Sequence, residues 1–134
     1  MAGSLNNLAT FLSNLGHREA ALAAAQEAVE LWRQLAAARP DAFVPNLASS
    51  LNNLANRLSD LGQREAALTA VREAVAVLSP FFLALPAAFA PRMLLAVQNY
   101  LNYAEQLQQE PDAALLAPII KKLNALQSST GGES

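Results

Sequence analysis

The chain repeats itself at a fixed interval. Ser4 to Ala9, Ser-Leu-Asn-Asn-Leu-Ala, returns unchanged at Ser50 to Ala55, which sets a period of 46 residues. Laying residues 4–45 over residues 50–91 gives 24 identities in 42 positions, among them Gly16/Gly62, Pro40/Pro86, Phe43/Phe89 and Pro45/Pro91. A diverged third copy follows Pro91, with Asn99 on Asn53 and Asn7, Asn102 on Asn56, and Leu107 on Leu61 and Leu15. Self-similarity at this spacing marks a stacked array, in which each unit buries its apolar face only against its neighbours.

The units read as helix pairs. Leu5, Leu8, Ala9, Leu12 and Leu15 recur at the three-and-four spacing of one helical face, which predicts a helix over residues 4–15 that ends at Gly16. Leu22, Ala25, Val29, Trp32 and Leu35 or Ala36 continue the spacing over residues 18–38, with Glu27, Glu30 and Arg33 on the opposite side. Ala9, Ala21 and Ala28 are small enough to let the two backbones approach. Pro40 reads as the stop of the second helix, residues 39–44 as a connector, and Pro45 as the opening of the next helix, where its missing amide costs nothing.

The second unit repeats the pattern with Leu51, Leu54, Ala55, Leu58 and Leu61, then Gly62, then Leu68, Val71, Val75 and Leu78. It departs at Pro80, which stands where the first copy has Gln34. A proline inside a helix costs about 3 kcal/mol, so the helix is expected to kink or stop near Leu78, leaving Phe81, Phe82, Leu83 and Leu85 in an apolar connector. The third unit reads as a helix over residues 92–108, a Glu110-Pro111-Asp112 opening, and a last helix to Gln127 interrupted by Pro118. Aligning Asp112 to Leu115 with Glu65 to Leu68 takes one inserted residue. The expected architecture is one all-α domain over residues 1–127, in repeats 4–45, 46–91 and 92–127, with a disordered polar tail at 128–134. Leu8, Leu12, Leu22, Val29, Leu54, Leu58, Leu68, Val75 and Leu101 are the expected core.

Composition narrows the function. Hydrophobic residues make up 53% of the 134, ample for a core, while charged residues are 15% and the net charge is −2. Lys121 and Lys122 fall far short of a basic face, so nucleic acid is not an expected partner. With no cysteine there is neither a disulfide framework nor a thiolate metal site, and no secretory pattern opens the chain. The most apolar window, Val75 to Ala90, is shorter than the roughly 20 residues a spanning helix needs and contains Pro80 and Pro86. No membrane is expected, and the cytoplasm is the default compartment. His17 sits in a turn and reads as an exposed polar residue, Trp32 reads as core, and Glu30/Arg33 and Arg57/Asp60 read as solvated helix pairs. No catalytic triad, phosphate-cradling loop or paired carboxylates appear. The reading is a non-enzyme with no catalytic residue, metal or cofactor.

Leu5, Leu8, Ala9, Leu12, Gly16, Ala21 and Ala28, with Leu51, Leu54, Ala55, Leu58, Gly62, Ala67 and Ala74, form a pattern that resembles the tetratricopeptide repeat, closest in look to its kinesin-light-chain-like subfamily. The resemblance implies a right-handed superhelical solenoid of three antiparallel helix hairpins. It also implies a protein-protein interaction scaffold in which the first helix of each hairpin lines a concave groove for a partner's peptide. The groove positions off the apolar face are Asn6, Asn7 and Thr10, then Asn52, Asn53, Asn56 and Ser59, then Gln98, Asn99 and Asn102. A row of side-chain amides can bond both backbone groups of an extended peptide, or can instead bond neighbouring helices and lock the stacking; both readings stand open. None of these positions is a lysine or arginine, so capture of a terminal carboxylate is not expected. Phe81 and Phe82 are candidate apolar anchors for a partner, with packing between hairpins as the alternative. The chain reads as part of a longer array; the rival reading is a self-assembly element forming homodimers or end-to-end stacks.

Overall fold

The computed structural model describes residues 17–131 and, before them, Leu8 alone, which is helical. Among residues 17–131 five helices follow one another: α1 (Arg18–Ala38), α2 (Pro40–Asp60), α3 (Arg64–Ala84), α4 (Pro86–Gln106) and α5 (Ala113–Gly131). No strand occurs among the described residues. Each helix packs against the next, and α2 with α4 and α3 with α5 also touch past the single helix between them, which makes an all-α repeat solenoid. The expected helix over residues 4–15 lies outside the described residues except for Leu8.

The period is built from two 21-residue helices joined by one residue on one side and by three on the other. The single-residue joints are Arg39 and Leu85, each the C-cap of one helix and the N-cap of the next. Both precede a proline, which disfavours helical backbone at the preceding residue, and both are extended, with φ −141° and −133°. Pro40 and Pro86 then open α2 and α4, where the missing amide would be unbonded anyway. The helix before Pro40 does stop, at Ala38, but residues 39–44 are not a connector and Pro45 does not open the next helix. The helix begins five residues before Pro45, which lies inside it, as Pro91 lies inside α4 and Pro118 inside α5.

Pro80 does not end its helix either. α3 runs through it to Ala84, and Phe82 is fully buried beside Leu78. One lost backbone bond and a ring clash cost about 3 kcal/mol. Burying a large apolar side chain returns about 1.5 to 3 kcal/mol, and Leu78, Phe82 and the half-buried Phe81 and Leu83 together outweigh that cost. The continuous α3 is therefore long and apolar enough, by length and composition alone, to cross a membrane, unlike the shorter window read from the sequence. Here its apolar side chains form the floor of the core: Leu68, Val71, Val75, Leu78 and Phe82 are buried.

The three-residue turn is a Schellman motif. Gln63 N–H donates to Leu58 O and Gly62 N–H to Ser59 O, both at 2.9 Å, with Gly62 at φ +76°. The same bonds recur after α4, from Gln109 to Ala104 and from Gln108 to Glu105, but Gln108 occupies the left-handed position at φ 54°. Six residues, 107–112, join α4 to α5 where three join α2 to α3. The longer joint overturns the single inserted residue, whose alignment would set buried Leu116 and Ile119 on the exposed Thr69 and Arg72. Asp112 does open α5, accepting from Leu115 N–H at 3.1 Å. The helix continues through residues 128–131, which the sequence reading gave to a disordered tail.

Val29, Leu58, Leu68 and Val75 are buried as expected, and Leu22 and Leu54 pack partly buried against the core. Leu8 and Leu101 are exposed, at 44% and 39%. Alanine carries much of the closure instead: Ala21, Ala25 and Ala28 on α1 and Ala67 and Ala74 on α3 have no exposed surface, so neighbouring backbones approach closely. Trp32 packs against Phe43 with centroids 6.0 Å apart.

Candidate functional site

The polar positions of α2 and α4 meet across the stack. Asn99 Nδ2 donates to Asn52 Oδ1 at 2.9 Å, and Tyr103 Oη donates to Asn56 Oδ1 at 2.6 Å. Asn52 is buried, while Asn53, Asn56, Ser59 and Asn99 are half-buried. A buried amide left unpaired costs about 1 to 3 kcal/mol, so these two bonds pin the register of one repeat on the next. Burial raises the Tyr103 phenol above its usual pKa, with a hydrogen bond from Ser59 working the other way. Asn53 Nδ2 is buried and makes no hydrogen bond among the described residues. Asn6, Asn7 and Thr10 lie outside them.

Gln98 and Asn102 are exposed on α4 and turn away from the Asn52–Asn99 contact. Phe82 is fully buried, which removes it as a surface anchor; Phe81 is half-buried, edge-on to Phe89 at 6.1 Å. Phe82 packs inward because Pro80 leaves α3 intact and the helical periodicity carries this residue to the core.

Between α2 and α4 lies a small cleft of about 80 Å³. Ala48, Asn52, Leu78 and Ala96 form its floor, and Ser49, Arg92 and the exposed Leu95 stand around it. Arg92 makes no ion pair among the described residues. Sequence reasoning missed Arg92, Ser49 and Leu95. Arg92 lies on the same helical face as Asn99, two turns earlier, but a helix assumed to begin at this residue hid the extension of that face. The groove wall therefore does carry a guanidinium.

The opposite edge is held by charge. Arg33 forms a two-pronged pair with Glu73, joining α1 to α3, and Arg72 Nη2 reaches Asp112 Oδ2 at 2.7 Å, joining α3 to the start of α5. Arg33 thus pairs across helices and not with Glu30, whereas Arg57 and Asp60 do pair at 3.3 Å. The Arg72 hydrogen bond, helped by the Leu115 amide, holds the Asp112 carboxyl below its usual pKa. His17 is exposed at the start of α1. Among the described residues no group of three or more histidine, cysteine or acidic side chains is placed to hold a metal ion.

These features define a helical repeat stack with a polar seam between its first helices and ion pairs along its second helices. The family model for the tetratricopeptide repeat matches residues 1–38 and 47–78, over half of the chain. The chain belongs to the tetratricopeptide repeat family, whose members are generally non-catalytic protein-protein interaction scaffolds. No curated protein and no solved structure matches it.

Proposed function

We propose that the chain binds an extended peptide segment of a partner protein across α2 and α4, in the groove that the family uses for such contacts. The cleft flanked by Arg92 and Leu95 carries this reading: it offers an unpaired cation, an exposed apolar side chain and a hollow sized for one side chain. A segment with an apolar side chain next to an acidic group fits that chemistry. Gln98 and Asn102, both exposed, remain free to bond peptide backbone further along, whereas the carbonyl oxygens of Asn52 and Asn56 are already engaged. Supporting this reading, the two seam bonds hold the groove wall rigid in advance of binding. With one apolar anchor and a few polar bonds, the affinity belongs at about micromolar or weaker.

The finer placement in the kinesin-light-chain-like subfamily rests on the Leu-Asn-Asn-Leu-Ala pattern. A cytoplasmic setting, absence of catalysis, and indifference to nucleic acid, membrane and cofactors complete the proposal. The test is peptide-array capture by the full chain followed by fluorescence polarisation of the best binders. Arg92→Ala with Leu95→Ala is expected to weaken binding at least about tenfold at unchanged melting temperature. Binding that survives the double substitution contradicts the cleft reading. Asn99→Ala, by contrast, is expected to lower melting, because it breaks the seam.

A further inference from the structure

The far side of the third repeat exposes a copy of an interface that is closed one period earlier. α4 seats against α2 and α3, and the α2 residues at that contact include Ala48, Asn52, Ala55 and Asn56, all buried or hydrogen-bonded. Moved on by 46 residues these become Leu94, Gln98, Leu101 and Asn102, and all four are exposed, Leu94 at 45% and Leu101 at 39%. Beside them α4 and α5 leave an apolar groove of about 520 Å³, lined by Pro91, Leu94, Leu123 and Leu126. Ile120 on α5 is also exposed, at 39%.

By sequence register the matching half corresponds to residues 4–15, of which Leu8 is described. Tyr100, 3% exposed, is among the α4 residues buried against the helices before it, and its counterpart two periods earlier is Leu8, which is 44% exposed. Asn99, Tyr100 and Tyr103 correspond in sequence to Asn7, Leu8 and Phe11. Between α2 and α4, small residues (Ala48, Ala55) on one side share a core with large ones (Tyr100, Tyr103) on the other. One period on, the groove side grows to leucines while Leu8 and Phe11 are no larger than the tyrosines, a partial exchange of volume across the contact. Gln98 and Asn7 take the places of the Asn52–Asn99 amide pair. Residues 4–15 contain no charge, and Glu105 is the one charge on the α4 stripe 94, 98, 101 and 105, so closing this contact buries little charge.

We propose that the α4–α5 groove seats residues 4–15 of a second copy of this chain, so that copies stack head to tail as α4 stacks on α2 and α3. The contact is heterologous and leaves a free groove and a free Leu8 end on every stack, so growth is open-ended. It does not use the Arg92 cleft, which lies between α2 and α4, but it covers Gln98 and Asn102, so a second copy and the backbone of a bound peptide compete for those two side chains.

Light scattering and sedimentation of the full chain over a concentration series test it. The average mass is expected to rise with concentration past that of a dimer. Leu8→Asp and Leu101→Asp are each expected to weaken association at least about tenfold, and because both positions are exposed, circular dichroism should show both variants folded. Gln98→Arg provides a second groove variant with no apolar truncation. An equimolar mixture of the Leu8→Asp and Leu101→Asp variants is expected to form a one-to-one dimer and stop there, since only one groove and one matching end remain intact. A chain that stays monomeric throughout the series overturns the proposal. So does association that ends at a dimer and is insensitive to Leu8→Asp, which would mean that α4 pairs with its own copy face to face.

Discussion

The second hairpin, α2 with α3, and the third, α4 with α5, start from the same repeat and end differently. In the second, Ala55 on one helix and Ala67 and Ala74 on the other have no exposed surface, and a three-residue Schellman turn holds the helices together. In the third, the buried residues of α5 are Leu116 and Ile119, the joint is six residues long, and α5 touches its neighbours far less extensively. Alanine at the crossing, more than leucine, closes this repeat: small side chains let helix backbones meet, and large ones hold them apart and leave a groove.

The largest expected break of this comparison is Phe82→Ala, which empties a fully buried site in the closed region and is expected to cost about 3 to 5 kcal/mol in urea unfolding. Leu116→Ala in the open region is expected to cost about 2 kcal/mol, the low end of its range, because α5 can shift to fill the space. Ala74→Leu comes next: forcing a large side chain where no surface is exposed is expected to cost about 1 to 3 kcal/mol and to part α3 from its neighbours.

Gln108→Gly sharpens the comparison in the other direction. A non-glycine residue in the left-handed region costs about 1 kcal/mol, so restoring the glycine that Gly62 supplies in the second turn is expected to raise the melting temperature of the chain. The smallest effect is on acid stability. The Asp112 carboxyl is held below its usual value by Arg72, so its contribution is fully present above the ordinary carboxylate pKa of about 4 and is lost as pH falls through the lower folded value. Stability measured from neutral pH downward is expected to fall less steeply in Asp112→Asn than in the parent chain.

Most of the fold could be read in the sequence because the period and the three-and-four spacing are strong, cooperative signals: α1 falls on the expected residues 18–38. Pro40 both ends one helix and opens the next, since a proline favours a helix start as strongly as it forbids a continuation, and the sequence reading took only the first role and left residues 39–44 as a connector. Pro80 was misread because the burial that offsets it, at Leu78 and Phe82, is a tertiary effect. At the candidate site, the asparagine row was visible but its bonds were not, since the Asn99–Asn52 and Tyr103–Asn56 contacts span 47 residues and depend on the stacking geometry. Arg92 stayed hidden because it lies within α4, six residues past the true start of that helix and at the position assumed to begin it.

One stack thus holds a tightly closed part, α1 to α4, and a loosely docked α5. Residue-resolved amide hydrogen exchange tests it most directly, because it reads the opening free energy of each helix separately. Buried stretches of α3, including the amides after Pro80, are expected to exchange only through global unfolding, while α5 exchanges through a lower-energy opening of its own. Equal protection in α3 and α5, or rapid exchange in α3 from Phe81 onward, would contradict the account.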